Sequence, residues 1–385
     1  MRELIGLFLK LGTIAFGGPA AHIAMMEEEV VRRRHWLSKE KFLDLLGAAN
    51  LIPGPSSTEL AIYIGYLQAG WMGLFLAGVC FILPAAMIVT ILAWAYVQFG
   101  SLPQAVGILY GVKPVIIAVI LQALWSLGRT AVKTKLLAAI GFAALVMSFL
   151  AINPLLIIFG VGSVMGLGRW IIGLKKKGKP SFVSLFFLLI APPLAYIVQT
   201  VAATTYATPS STGLWSIFLI FVKIGSVVFG SGYVLLAFLR GDLVAHLHWL
   251  TDSQLIDAVA VGQVTPGPVF TTATFIGYLL AGPSGALVAT TGIFLPAFLL
   301  VAISGPLIWR IRRSPTAGAF LDGVIVASLA LMAFVTYDLA RAALVDWVTI
   351  ILAIASAILL IRFRLNSAWL VALGAAVGLF SFLIM

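Results

Sequence analysis

Charge is scarce in this chain: Asp, Glu, Lys and Arg make up 10% of its 385 residues, against 62% hydrophobic residues. So little charge cannot cover the surface of a soluble protein, and a mean hydropathy of +1.13 excludes that class. Cysteine is scarcer still. Cys80 stands alone inside an apolar run, which excludes disulfides within the chain and leaves no thiolate cluster for a metal. Of the four histidines, His246 and His248 form a pair beside Trp249 without the further ligands that a metal needs. No metal or other cofactor is expected, and without a nucleophile, base and electrophile in one place the chain does not read as an enzyme.

Apolar runs of about 20 residues, enough to cross a ~30 Å hydrocarbon core as helix, recur from end to end. The expected fold class is an all-α polytopic membrane protein. The opening "MRELIGLFLKLG" has no small-residue cleavage site after a short apolar core, so it reads as a first membrane segment. The excess of 24 basic over 13 acidic residues fits cytoplasmic loops and not nucleic-acid binding.

The chain repeats itself. An offset of 213 places Phe8 on Phe221, Lys10 on Lys223, Gly12 on Gly225, Phe16-Gly17 on Phe229-Gly230, Trp36-Leu37 on Trp249-Leu250, Asp44 on Asp257 and Pro53-Gly54-Pro55 on Pro266-Gly267-Pro268. An offset of 212 then carries Gly65-Tyr66 to Gly277-Tyr278, Ala69-Gly70 to Ala281-Gly282, Pro84 to Pro296 and Arg129 to Arg341. Matches in Gly, Pro, Trp, Lys, Asp and Arg do not arise by chance from apolar sequence, and such self-similarity marks a repeat architecture. The expected organisation is a first membrane repeat over 1–174, a basic loop and linker helix over 175–212, and a second repeat over 213–385. Each repeat has two interrupted apolar segments (4–31 and 42–69, then 215–239 and 254–281) followed by about four plainer ones.

If the linker (182–205) crosses once and each repeat crosses an even number of times, the second repeat is inverted, a common transporter architecture. Basic residues at Arg129 to Lys135, Lys175 to Lys179, Arg310 to Arg313 and Arg362 to Arg364 then share one side, which is cytoplasmic. The loop Arg32 to Lys41 fits that rule only if the interrupted segments are hairpins that enter and leave by one face.

The breaks carry the chemistry. Pro53 and Pro55 lack N–H donors and clash with a preceding helical turn, and Gly54 loosens the backbone, so "PGP" ends one half-helix and opens another. Irregular backbone at membrane depth is tolerated where protein or a watery cavity satisfies it. Ser56, Ser57, Thr58 and Glu59, and in the second copy Thr271 and Thr272, fall in the first turn of the new half-helix, where backbone N–H groups favour an anion. The other break, Phe16-Gly17-Gly18-Pro19 and its counterpart Phe229-Gly230-Ser231-Gly232, allows close backbone approach. Two breaks per repeat would surround one site; the alternative is that these residues only kink membrane helices.

Lys10 and Lys223 precede the breaks in apolar surroundings, which makes them candidates for the anion's counter-charge, with snorkelling to an interface as the alternative. Lys113 has no basic counterpart, and Arg129 and Arg341 read as interface markers. Glu59 is the acid nearest a break and is a proton-coupling candidate, or else a cap for its half-helix. Asp44 and Asp257 read as structural residues of helices capped by Ser38 and Thr251, with Glu40 and Asp252 in the first turn.

"FLKLGTIAFGGP", the following "WLS", "LIPGPSSTELAIYIGY" and their second-half echoes resemble the chromate ion transporter family in its long, two-domain form. The second copy departs from the pattern with "FGSG" for "FGGP" and "TPGP" for "IPGP". The resemblance implies a multi-pass carrier of the bacterial inner membrane that expels chromate with the electrochemical gradient, or moves a related oxyanion such as sulfate. An anion channel would use the same donors. A homodimer is compatible with this reading; the partners expected are the oxyanion and the bilayer.

Overall fold

The computed structural model describes residues 1–16, 18–150, 152–175, 213–229, 232, 234–304, 315–363, 365 and 367–384. The linker 182–205, the basic loop after Lys175, and Arg310, Arg312, Arg313 and Arg364 lie outside the described residues. The described residues are helical, with no strand among them, and each repeat supplies seven helices in the same order. In the first these are α1 (Arg2–Ile14), α2 (Gly18–Glu27), α3 (Lys39–Ala49), α4 (Ser56–Phe99), α5 (Pro103–Ala131), α6 (Lys135–Phe149) and α7 (Pro154–Lys175). In the second they are α8 (Leu214–Val227), α9 (Leu235–Leu239), α10 (Asp252–Val264), α11 (Thr272–Ser304), α12 (Pro315–Ala343), α13 (Trp347–Phe363) and α14 (Ser367–Ile384). Among the described residues, five stretches are long and apolar enough to cross a membrane, namely Ser56–Phe99, Pro103–Ala131, Pro154–Ile171, Val269–Ser304 and Pro315–Ala343.

The helix boundaries follow local chemistry. Ser38 caps α3 by accepting from the Lys41 amide, and Thr251 opens α10 with a full capping box closed by Gln254. Pro103 occupies the first turn of α5, where its missing N–H costs nothing. After α2 and α9 the backbone widens into π turns at Glu28–Arg33 and Arg240–His246, each followed by a histidine at positive φ: His35 at 51° and His248 at 53°.

The interrupted segments are shorter than a bilayer crossing. α1 has 13 residues and α3 has 11, about 20 Å and 16 Å at 1.5 Å per residue. The first arm of α4, residues 56–68, is also only about 20 Å long. It ends in a reversal: Ala69 lies at φ −147°, ψ 27° and Gly70 at φ 59°, ψ −146°. The same pair of conformations recurs at Ala281 and Gly282 in α11. Beyond the reversal the chain packs back on itself so closely that a Cβ on Gly65 would strike the Gly73 carbonyl, and one on Gly277 the Gly285 carbonyl. Gly65→Ala or Gly277→Ala therefore forces the two arms apart, and each is expected to destabilise the protein by about 1–3 kcal/mol. Detergent melting temperature reads this directly, with Gly6→Ala, where a Cβ meets nothing within 4 Å, as the control.

The repeats are interleaved. α1 packs on α4 and α8 on α11, and α4 meets α11 across the repeats. α5 is clasped by α13 and α14 of the other repeat, while α12 is clasped by α6 and α7. Glycines permit close crossings here: Gly111 against Gly374 and Gly378, and at the equivalent place Gly323 against Gly162. The repeats thus share one body, although they are separate in sequence. Cys80 lies buried in this packing beside Phe81, as expected of a packing residue.

Candidate functional site

The two repeats meet at their breaks. The amide of Gly54 donates to the carbonyl of Val228 at 2.7 Å, and the amide of Gly267 donates to the carbonyl of Ala15 at 3.0 Å. These are the same bond made twice, each from the "PGP" of one repeat to the residue just before the "FG" break of the other. Each needs its glycine. Gly54 has φ 139° and Gly267 φ 92°, values from which a Cβ is all but excluded. Gly18, at φ 75°, opens α2 in the same way.

Within each repeat the two breaks also touch. In the first, buried His22 spans them: Nε2 lies 3.0 Å from Ala15 O and Nδ1 3.3 Å from Ser57 Oγ. The carbonyl can only accept, so Nε2 carries the proton, and the neutral ring accepts the Ser57 hydroxyl at Nδ1. In the second repeat, Gly232 lies against Val269 and Phe270 of the short 3₁₀ turn Val269–Thr271. His22 has no counterpart there. Phe16 is exposed while Phe229 is buried, so the first breaks are not alike. Gly17, Gly230 and Ser231 lie outside the described residues.

The half-helix after each "PGP" is buried from its first turn. Ser56, Ser57, Thr58 and Glu59 are all inaccessible or nearly so, as are Thr271 and Thr272. The amides of Thr58 and Glu59 close on Pro55 O at 2.8 and 3.0 Å. Thr271 and Thr272 turn their hydroxyls onto the carbonyls of Pro268 and Val269. Their protons thus satisfy the break itself. Pro19 lies in the first turn of α2, and Pro53, Pro55, Pro266 and Pro268 frame the reciprocal bonds.

The lysines are engaged by acids. Lys10 Nζ reaches Glu29 Oε1 at 2.8 Å, and Lys223 Nζ reaches Asp242 Oδ1 at 2.8 Å. Glu29 and Asp242 share the 213-residue offset and sit on the two π turns, a widened geometry frequent at functional sites. The Lys223 pair is nearly closed to solvent, with side-chain exposures of 9% and 10%, whereas Lys10 is half exposed and Glu29 also meets Arg33 and Arg34. Neither ammonium stands as the bare counter-charge that the sequence suggested. Each fixes the helix leading into a break to the one leading out.

A second polar cluster joins the repeats elsewhere. Asp257 is buried and accepts from Tyr96 at 2.9 Å, and Lys113 lies 3.4 Å from it while donating to Ser253 at 2.6 Å. These residues line a cavity of about 340 Å³. Lys113 is therefore an inter-repeat partner, and Asp257 does more than complete a capped helix. Nearby, Asp346 in the loop between α12 and α13 is held below the usual carboxylate range by the Thr349 amide and the Tyr110 hydroxyl. Arg341 lies over the Tyr337 ring. No group of three or more metal-ligating side chains occurs among the described residues.

The sequence profile described as "Chromate transporter" matches this chain twice, over residues 2–167 and 215–379. The chain is 34% identical to a chromate transport protein of Cupriavidus metallidurans, over 99% of this chain and 93% of the relative. It is 35% identical to a probable chromate transport protein of Synechococcus elongatus (91% and 88%) and 32% identical to a chromate transport protein of Pseudomonas aeruginosa (88% and 81%). No solved structure matches the chain.

Proposed function

Because the chain belongs to the chromate transporter family, we propose that it carries chromate out across the bacterial inner membrane, by alternating access driven by the electrochemical gradient. The observation that carries the reading is the reciprocal pair of bonds, Gly54 to Val228 and Gly267 to Ala15. They bring the interrupted backbone of both repeats to one place, where half-helix N-termini favour a tetrahedral dianion. Ser56, Ser57 and Thr58 line the first of these termini, and His22 holds Ser57 in position.

The reciprocal bonds also suit alternating access. A site shared by two like halves is rebuilt in mirror form when one half rocks against the other, provided that the repeats are inverted. Sulfate has the same shape and charge as chromate, so competition between the two anions is expected.

Sealed membrane vesicles with pH and potential imposed separately test this reading. An imposed potential, negative on the cytoplasmic face, is expected to drive labelled chromate towards the opposite face, with saturation and inhibition by excess sulfate. Chromate movement no faster than in vesicles lacking the protein would refute it. Currents far above carrier turnover would replace the carrier with a channel.

A further inference from the structure

The Pro53-Gly54-Pro55 break holds a carboxyl group with nothing bonded to it. Glu59 has no solvent exposure, and neither of its carboxyl oxygens has a hydrogen-bond partner. The hydroxyl oxygen of Thr58, also fully buried, has none either. Oε1 of Glu59 rests against Gly54, in the place that a Cβ there would take. The first turn of the half-helix 56–68 thus holds three unpartnered buried oxygens on two consecutive residues, whereas Thr271 and Thr272, in the same stretch of the second repeat, have bonded hydroxyls.

The elements around Glu59 bring no cation to it. On α1, Lys10 is paired with Glu29; on α2, His22 is bonded to Ala15 and Ser57. α3 brings Lys39, Glu40, Lys41 and Asp44, none bonded to Glu59. α10 brings Asp257, which is held by Tyr96 and Lys113. The 3₁₀ turn and α11 contain no Asp, Glu, Lys, Arg or His. On α4 itself, Tyr63 is bonded to Ser304.

A carboxylate removed from water without donors or a counter-ion costs several kcal/mol, so such a group takes up a proton. A dianion arriving at the same half-helix end strengthens that demand, because an ionised Glu59 would repel it at short range. We propose that Glu59 is the coupling site: it carries one proton whenever the oxyanion occupies the break, so that proton and oxyanion bind cooperatively and move in the same direction. The proton comes from water and sits on one carboxyl oxygen, which thereby becomes an O–H donor to the oxyanion. A dianion accompanied by one proton moves one net negative charge, so an inside-negative potential drives the pair outward. This inference rests on the oxyanion reading above.

Purified full-length protein with labelled sulfate as probe tests it, since sulfate does not itself take up protons between mildly acidic and mildly basic pH. Wild-type binding is expected to weaken with rising pH by up to about tenfold per unit, the slope of a single linked proton. In proteoliposomes, a pH dye should report about one proton moving with each sulfate. Glu59→Gln keeps the shape and removes the titration. It is expected to bind sulfate at all pH values as tightly as the wild type does in acid, and to move no protons.

A Glu59→Gln protein with the wild-type pH slope and proton movement would overturn the proposal. So would binding tightened by sodium and not by protons, which would put a sodium ion on these oxygens. If Glu59→Gln does not fold, the wild-type proton count decides alone, and a count of zero overturns the inference. If chromate alone binds, the comparison is made with chromate at a pH basic enough to keep it a dianion, and a proton count of zero there overturns the inference. Wild type that binds neither anion at any pH defeats the oxyanion reading and the inference with it, whereas pH-independent binding defeats only the inference.

Discussion

Replacing Pro53, Gly54 and Pro55 together by alanine is expected to abolish oxyanion flux per folded protein while leaving membrane insertion intact. Three effects act together. Two restored N–H groups and the loss of a left-handed glycine let the helix propagate through the break, which draws those first-turn amides that still lack an intrahelical acceptor into helical bonds and away from an anion. The bond from Gly54 to Val228 is lost with the conformation that makes it. A Cβ at position 54 also enters the space that the Glu59 carboxyl fills. The same change at 266–268 removes the reciprocal bond to Ala15, and it meets the side chain of Ala85 instead of a carboxyl group, so it too should impair flux. A break that served only to kink the helix would give another pattern: a lower melting temperature, and flux that falls only with protein abundance.

The largest loss of stability is expected from Lys223→Ala. The change strands Asp242 in an environment where its pair is only about a tenth exposed. Removing one partner of such a pair costs roughly 3–5 kcal/mol, because the other charge stays buried and uncompensated. Lys223→Met combined with Asp242→Leu should recover most of that loss, since an apolar pair of similar volume replaces the ions. Lys10→Ala should be far milder, as Lys10 is half exposed and Glu29 keeps Arg33 and Arg34. Melting temperatures of the four proteins in detergent read the comparison. Equal shifts for Lys10→Ala and Lys223→Ala would show that burial does not set the cost.

Much of this architecture was legible in the sequence because glycine and proline leave traces that apolar side chains do not. The offset matches at Pro53-Gly54-Pro55 and at Ala69-Gly70 fall on the breaks and reversals of both repeats, since those conformations tolerate few other residues. Ser38 and Thr251 cap their helices as their spacing suggested. What stayed hidden was partnership. Glu29 sits among acids and bases from Glu27 to Arg34 that read as one solvated loop, and its match to Asp242 is a match of charge, not of identity. The signal was nevertheless present: acids 19 residues after equivalent lysines. His22 and the Lys113–Asp257 pair occur once each, so repetition could not find them, and pairing between distant helices follows from the fold alone.

The central claim is that the four breaks of the two repeats form one oxyanion site within a carrier. Sulfate or chromate counterflow in proteoliposomes, measured for wild type and both triple-alanine variants at equal incorporation, tests it most directly. The expected result is saturable exchange in wild type, accelerated by unlabelled anion on the opposite side, and its loss when either set of breaks is healed. Exchange retained in both variants, or a wild-type flux that neither saturates nor responds to anion on the far side, would contradict it.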